Sequence, residues 1–313
     1  MKIAITGGTG FIGRRLVTAL SLAGHPVRVL TRHPERSRRS SGVDYFGGDL
    51  AGDCDISAFL AGIDVLFHCA GEISDPSQMH RLHVDGSMRL VEAAQGRVTT
   101  WVQLSSTGAY GTKRAGEVRE SDPLSPSGPY EMSKAAADEL VWRAANNGAF
   151  SCVILRPSIV YGAGMPNQSL FSMLKMVEKG LFCFIGKPGA SANYIHVENV
   201  VSALLVCGLG SFPGHGVFNL SDHCTVEKFV GLMAKQLGVP VPKRRLPEGP
   251  VRLLARALQS IPGWPLTLSR VDALTSFATY PTTRLEALTS YRHKVSMAEG
   301  IADLVSDFRR RSL

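Results

Sequence analysis

Two side chains four residues apart, Tyr130 and Lys134, have the residue types and the spacing of a proton-transfer pair. Residues at this spacing lie on one face of a helix, so the phenol and the ammonium can enter the same cleft. A free tyrosine has a pKa of about 10, and a nearby cation favours its charged form. Tyr130 can then exchange a proton with a substrate oxygen while hydride moves at the adjacent carbon, and Lys134 can hold a ribose.

Three hydroxyl side chains, Ser105, Ser106 and Thr107, follow directly after an apolar run that predicts a strand. Ligands of open α/β sheets bind at the carboxyl ends of the strands. These hydroxyls can therefore supply a second polar group for the oxygen that Tyr130 would serve. A proline-rich turn, residues 122–129, separates them from Tyr130.

The start of the chain predicts a strand, a glycine-rich loop and a helix in direct succession. The loop, residues 6–13, reads TGGTGFIG. Gly7 and Gly10 allow a tight turn close to a pyrophosphate, and Gly13 allows the helix to pack against the strand. The amino end of the helix then faces the anion. We therefore predict a dinucleotide site contacted by Gly7, Thr9, Gly10, Phe11, Ile12 and Gly13.

The end of the second predicted strand decides which ribose is bound. An acidic side chain at this place binds a free 2′-hydroxyl, whereas arginine accommodates a 2′-phosphate. The strand ends in Thr31-Arg32, and Arg36, Arg38 and Arg39 follow. A guanidinium suits a phosphate because it offers two parallel N–H donors. We predict that Arg32 and Arg36 favour NADP(H), although NAD(H) stays possible if Arg32 merely stacks on the adenine.

Short β-branched runs alternate with helical patterns in the first half of the chain. The predicted strands are 2–6, 27–31, 64–69, 100–105 and 152–155, and the predicted helices are 11–23, 77–94 and 130–146. Such alternation predicts an α/β fold with a Rossmann-type, doubly wound parallel sheet. We expect residues 1–160 to form the dinucleotide domain, completed by a return of about 196–220. Residues 161–313 then form mainly a smaller C-terminal α/β substrate lobe.

The composition is that of a globular protein, with 313 residues, 44% of them hydrophobic and 19% charged. The six cysteines and nine histidines show no disulfide or metal spacing, so we expect reduced thiols and no metal. The net charge is +8, yet the basic runs lack interleaved aromatics, and we expect no nucleic-acid partner. Without an apolar span or a signal-peptide pattern, we expect a soluble cytoplasmic protein with no membrane partner.

Taken together, these motifs resemble the extended short-chain dehydrogenase/reductases, the NAD-dependent epimerase/dehydratase family. The resemblance runs through most of the chain and rests on residues 6–13, 48–50, 68–71, 104–111, 130–134, 156–162 and 194–197. It implies that Ser106, Tyr130 and Lys134 are the catalytic residues. It also implies further cofactor contacts by Tyr130, Lys134, Asp49, Leu50, Ala70, Gly71, Pro157 and Ser158. Members of the family often dimerise through the helices after the fourth and fifth strands, so a homodimer is possible.

Departures from the family pattern narrow the reaction. Ser106-Thr107-Gly108 lacks the two acids found in sugar-nucleotide 4,6-dehydratases, so we do not expect dehydration. His83 replaces the asparagine of the usual N-V-x-G-T turn. Ile159 replaces an asparagine that touches the diphosphate in many nucleotide-sugar enzymes. Asn167 can take over such contacts.

The leading prediction is an NADPH-dependent reductase that acts on the carbonyl of a nucleotide sugar, a 4-keto sugar, with substrate contacts from Thr107 and Asn167. Hydride would reach the carbonyl carbon from the nicotinamide, Tyr130 would donate the proton, and Ser106 would hold the oxygen. The alternatives are an NAD-dependent nucleotide-sugar 4-epimerase and a dihydroflavonol- or steroid-type reductase. A non-catalytic dinucleotide-binding sensor is the alternative from outside the enzymes.

Overall fold

The computed structural model places a seven-stranded, all-parallel sheet at the centre of the protein. It describes residues 1–36, 41–166, 168–210, 214–258 and 266–312. The strands are β1 (Ile3–Thr6), β2 (Val27–Thr31), β3 (Val43–Gly47), β4 (Val65–His68), β5 (Thr100–Leu104), β6 (Ala115–Glu117), β7 (Ser151–Pro157), β8 (Ile159–Tyr161), β9 (Phe184–Ile185), β10 (Ser191–His196), β11 (Gly216–Leu220), β12 (Asp222–Thr225), β13 (Arg245–Leu246) and β14 (Phe277–Thr279).

The helices surround this sheet and continue through the second half of the chain. They are α1 (Gly13–Leu22), α2 (Ile56–Phe59), α3 (Pro76–His80), α4 (Gly86–Ala94), α5 (Pro129–Asn146), α6 (Ser169–Glu178), α7 (Val197–Leu209), α8 (Val226–Leu237), α9 (Glu248–Leu258), α10 (Leu268–Thr275), α11 (Thr283–Leu288) and α12 (Met297–Ser312). No helix in the described ranges combines the length and the apolar character needed to cross a bilayer.

The strand order of the main sheet is β11-β7-β5-β4-β1-β2-β3. From β1 the chain moves outward to β2 and β3, and then returns to β4 on the other side of β1. At this switch point Thr6, the last residue of β1, lies beside His68, the last residue of β4. The two neighbouring connections leave in opposite directions here, which opens a crevice for a ligand. The predicted Rossmann-type α/β fold is confirmed.

Helices cover both faces of the sheet. On one face α1 and α7 pack Leu16 and Leu204 against the strands, and on the other face α4 and α5 pack Leu90 and Val141. Every residue of β1 and β4 is buried as a result. Because both faces of the sheet are covered, these strands carry continuous apolar runs, Ile3–Ile5 and Val65–Phe67, rather than alternating polar and apolar residues.

A second hydrophobic core forms between α6, α8 and α12 in the carboxyl-terminal half. Strands β8, β10 and β12 make a small sheet beside it. Helix α12 also holds the loop that follows β8, because Asp303 accepts a hydrogen bond from the N–H of Ala163 and Asp307 accepts one from Gly164, each at 2.8 Å. Between α6 and α8 of this lobe the chain returns to the main sheet through α7, and β11 joins β7 at its edge.

The prediction of a helix over residues 77–94 is confirmed, although the helix contains a π-helical turn. The segment consists of α3, a π-helical turn at Arg81–Asp85, and α4. A π turn accommodates an extra residue and changes the direction of the side chains around it. Strand β3 is absent from the predicted strands, because it is an edge strand whose residues are only partly buried.

Gly208 tests the packing of α7 against the sheet. A methyl group at this position would overlap the ring of Phe67 on β4. Gly208→Ala should therefore lower the free energy of unfolding by about 1–3 kcal/mol. Gly231→Ala is the matched control, because no atom lies within 4 Å of the added carbon in α8. It should raise the free energy by about 0.5–1 kcal/mol. Urea denaturation measures both, and equal effects would contradict this packing.

Candidate active site

A cavity of about 390 Å³ opens at the carboxyl ends of β1, β2 and β4, at the switch point of the sheet. Eight residues that the sequence predicts as cofactor contacts line it: Gly7, Thr9, Gly10, Arg32, Asp49, Leu50, Ala70 and Gly71. Ten further residues also line it: Thr6, Leu30, Thr31, His33, Gly48, Ala51, Cys69, Glu72, Gln78 and Leu82. Most of these ten adjoin a predicted contact, but Gln78 and Leu82 come from the segment that the π turn redirects.

The glycine-rich loop fits closely against the end of β4. Gly7 has a φ of +69°, and a Cβ there would lie 2.6 Å from the backbone of Cys69 and Ala70. Gly13 packs at the start of α1 against the backbone of Gly7 and Gly8, where a side chain would overlap. Only glycine fits at both positions, and without side chains the backbone of the loop itself borders the cavity. A pyrophosphate would fit in this cradle.

A row of buried, hydrogen-bonded polar side chains runs from Thr6, which lines the cavity, to α4. The Oγ1 of Thr6 lies 2.5 Å from Nδ1 of His68, and Nε2 of His68 lies 3.0 Å from Oγ of Ser87. Burial, aided by the charge of Lys134, lowers the pKa of His68 to about 3, so the ring is neutral. Burial likewise raises the pKa of Cys69 to about 12, and its thiol is therefore not a nucleophile at neutral pH.

The start of α5 positions the predicted proton donor. Pro129 occupies the first turn, where its missing N–H costs nothing. Glu131 turns back over the helix end, and its Oε2 accepts hydrogen bonds from the N–H of Ser127 at 2.9 Å and of Gly128 at 3.3 Å. The Glu131 carboxylate is thus a cap, and the helix begins at a fixed place just before Tyr130.

The predicted catalytic side chains converge beyond the end of β5. The side chain of Ser106 lies beside the phenol of Tyr130, and its Oγ accepts the N–H of Gly108 at 3.1 Å. One turn along α5, Nζ of Lys134 donates to the carbonyl of Leu104 at 2.6 Å. Burial raises the pKa of Tyr130, and the neighbouring Ser106 side chain opposes this shift. Burial lowers the pKa of Lys134, and the charge of Asp138 opposes this shift.

Ser105 and Ser106 have different partners, although they are adjacent in sequence. The Ser105 hydroxyl donates to Oδ2 of Asp138 at 2.7 Å, and Nε and Nη2 of Arg156 donate to the same oxygen at 3.1 Å each. Arg156 also donates to the Tyr110 hydroxyl at 3.1 Å. Ser105 therefore belongs to a buried ionic network beneath the site, which leaves Ser106 beside Tyr130.

The other predicted contacts lie apart from the cavity or outside the described residues. Phe11, Ile12 and Gly13 do not line it, and neither do Pro157 and Ser158, which are buried at the end of β7. Thr107 is buried in the short turn after Ser106. The side chain of Arg36 and the whole of Asn167 lie outside the described part of the chain, so those predictions have no structural outcome. Among the described residues, no group of His, Cys, Asp and Glu side chains could hold a metal ion.

Comparisons with known proteins agree with this architecture. Residues 3–219 match the family described as "NAD dependent epimerase/dehydratase family". A ketoreductase of Stigmatella aurantiaca that acts on a farnesylated oxo-dihydroquinoline oxide is 29% identical over 83% of this chain and 80% of its own length. The UDP-glucose 4-epimerase of Mycolicibacterium smegmatis is 28% identical over 100% of both chains.

A solved structure, MoeE5 in complex with UDP-glucose and NAD, superposes on the protein with a TM-score of 0.77. It is 25% identical, and the match covers 100% of this chain and 99% of that chain. The fold, the family match and the relatives agree on one class of enzyme. The chain belongs to the NAD-dependent epimerase/dehydratase family and is an NAD(P)-dependent oxidoreductase or epimerase of the extended short-chain dehydrogenase/reductase type.

Proposed function

We propose that this protein is an NADP(H)-dependent reductase of a carbonyl group. The convergence of Tyr130 and Ser106 beyond the end of β5, with Lys134 one helical turn away, is the observation that carries the proposal. Two neighbouring hydroxyls can both donate a hydrogen bond to one carbonyl oxygen of a substrate. Because burial raises the pKa of Tyr130, the phenol is protonated at neutral pH and is ready to act as the acid.

Lys134 would have two duties. Its ammonium has three N–H donors, of which one is used by the Leu104 carbonyl, so two remain for ribose hydroxyls. Its positive charge would also stabilise the Tyr130 phenolate after the proton has moved to the substrate oxygen. The residues lining the cavity would hold the rest of the dinucleotide, and the bound cofactor would supply the hydride.

The cavity end near β2 favours NADP(H) in this proposal. Thr31, Arg32 and His33 line it there, and the Arg32 side chain is exposed and free to reach outward. The acids that line the cavity are engaged with backbone: Oδ1 of Asp49 accepts the N–H of Ala51, and Oε1 of Glu72 accepts that of Ser74. A 2′-phosphate would therefore find a guanidinium at the end of β2.

The substrate that we favour is a 4-keto nucleotide sugar. The protein matches nucleotide-sugar enzymes over its full length, including the UDP-glucose complex. Exchange of a carbonyl for a hydroxyl at sugar C4 is half of an epimerase cycle, so the same three side chains would serve it. An NAD-dependent 4-epimerase is the main alternative, and it requires a dinucleotide that stays bound between half-reactions.

An apolar ketone is the second candidate, and one residue favours it. Ile159 begins β8 with its side chain 44% exposed, at the position where the family resemblance places an asparagine. An exposed isoleucine cannot hydrogen-bond a diphosphate, but it can contact a hydrocarbon. The Stigmatella relative acts on a farnesylated ketone. This candidate shares the proposed chemistry and differs only in the group that the substrate lobe recognises.

Tyr130→Phe tests whether the protein is an enzyme of this kind or a dinucleotide sensor. Loss of the only hydroxyl on that ring should lower kcat by about 10²–10⁴-fold, because the general acid is removed. NADPH binding, measured by fluorescence quenching, should stay within about threefold because the ring remains. Tyr45→Phe, on β3, is the control and should leave kcat unchanged. Full turnover by Tyr130→Phe would refute the proposed acid.

Arg32→Ser tests the cofactor preference. The Kd for NADPH should rise about tenfold or more, because a charge-assisted hydrogen bond to the 2′-phosphate is lost, and the Kd for NADH should change little. Arg97→Ser is the control, because Arg97 is exposed at the end of α4 and lies outside the cavity. Mass spectrometry of the dinucleotide released on acid quenching completes the test. Stoichiometric, non-exchanging NAD would favour the epimerase instead.

Ile159→Asn separates the two substrate classes. If a nucleotide sugar is the substrate, an amide at this position should leave or improve kcat/KM for a 4-keto nucleotide sugar, since it restores a diphosphate contact. If an apolar ketone is the substrate, kcat/KM for a long-chain 3-oxo compound should fall about tenfold or more, because an aliphatic contact with the substrate chain becomes polar. Ile159→Val is the control, and it should leave both activities within a few-fold.

A further inference from the structure

His83 lies at the centre of the π-helical turn and connects two parts of the site. It is buried, with 2% of its surface exposed. Its neighbour Leu82 lines the cofactor cavity, whereas the His83 ring points to α5, where it meets the ring of Tyr130 edge-on with centroids 5.8 Å apart. The π turn thus directs consecutive side chains to the cavity and to the catalytic helix.

A chain of hydrogen bonds passes through the His83 ring, and each donor can be assigned. The N–H of Glu72 donates to Nε2 of His83 at 2.8 Å, so this nitrogen carries no proton. In the neutral ring the proton is then on Nδ1, which lies 2.8 Å from Oγ of Ser133. The Ser133 hydroxyl in turn donates to the carbonyl of Tyr130 at 3.0 Å. Every donor in the chain has an acceptor.

The charges around His83 keep its ring neutral. Burial and the nearby Lys134 ammonium lower the pKa of His83 to about 3, and the Glu72 carboxylate opposes this shift only in part. A protonated ring would also lose its bond from the Glu72 N–H, because two donors would then face each other. His83 therefore stays a fixed donor on one side and a fixed acceptor on the other across the neutral pH range.

We propose that His83 is a positioning residue that sets the distance between the cofactor loop, Gly71–Glu72, and the catalytic helix at Tyr130. The imidazole is rigid, and its two nitrogens contact one element each. Gly71 lines the cavity, and a Cβ on it would lie 3.5 Å from Nε2 of His83, so the ring supports the loop directly. The inference rests on the proposed function in that it assigns the loop to the dinucleotide and Tyr130 to proton transfer.

The first experiment measures the ring itself. In the full-length protein labelled with ¹⁵N-histidine, the His83 signals are those absent from the spectrum of His83→Asn. We expect a neutral ring with the proton on Nδ1 and no titration between pH 8 and 5. A ring protonated on Nε2, or a pKa near the free value of about 6.5, would overturn the proposal.

The second experiment removes the two hydrogen bonds of the His83 ring one at a time, that with Glu72 and that with Ser133. Asparagine places an amide near the Nδ1 position, so His83→Asn can keep the Ser133 contact but cannot reach Glu72. Glutamine places an amide near the Nε2 position, so His83→Gln can keep the Glu72 contact but not that to Ser133. We expect His83→Asn to raise the Kd for NADPH about tenfold with kcat nearly unchanged, and His83→Gln to lower kcat about tenfold with Kd nearly unchanged.

His83→Phe is the matched variant that keeps the ring edge against Tyr130 and loses both hydrogen bonds. It should show both defects together. Equal losses of binding and turnover in all three variants, in proportion to a fall in melting temperature, would show a purely structural role and overturn the proposal. If the wild-type protein reduces neither test substrate, the proposed function fails. The ring tautomer and the NADPH Kd still decide the role of His83, since neither needs turnover.

Discussion

The buried ion pair between Asp138 and Arg156 fixes α5 to the sheet, and the geometry of the site depends on it. Asp138 lies one turn after Lys134, and its Oδ2 binds Arg156 of β7 and Ser105 at the end of β5. Loss of one partner from such a pair typically costs about 3–5 kcal/mol, because the remaining charge is stranded away from water. These contacts fix the rotation of α5 about its own axis and its position along the strands of the sheet. Tyr130 and Lys134 consequently reach the strand ends on the same face.

The two ends of the site are built from different materials. At the dinucleotide end the backbone forms the site: Gly7 and Gly13 have no side chains, so the turn can pack closely against the end of β4. At the catalytic end side chains form the site, and another side chain or a backbone carbonyl positions each of them. Such a division suits a family in which one cofactor serves several reactions, since the chemistry can change without altering the turn.

Much of this arrangement could be predicted from the sequence. The glycine spacing, the continuous apolar strands and the Tyr130–Lys134 interval each reflect short-range rules. The predicted fold is confirmed, and eight of the residues predicted to contact the cofactor line the cavity. The π turn could not be predicted, because residues 77–94 have a regular helical pattern and nothing in it marks residues 81–85. The role of His83 depends on that turn. The different partners of Ser105 and Ser106 likewise depend on Asp138, which is distant in sequence and belongs to no recognisable motif.

The placement of β11 has a consequence for how the chain acquires its structure. This strand completes the sheet beside β7, yet β8, α6, β9, β10 and α7 lie between the two strands in sequence. During synthesis the edge of β7 is therefore left unpaired while these intervening elements are made, and an unpaired parallel edge invites association with other chains. A fragment that ends after β7 would keep this edge permanently. The main sheet can therefore close only after residue 220 has been made, because the pairing of β7 with β11 spans this long intervening stretch of chain.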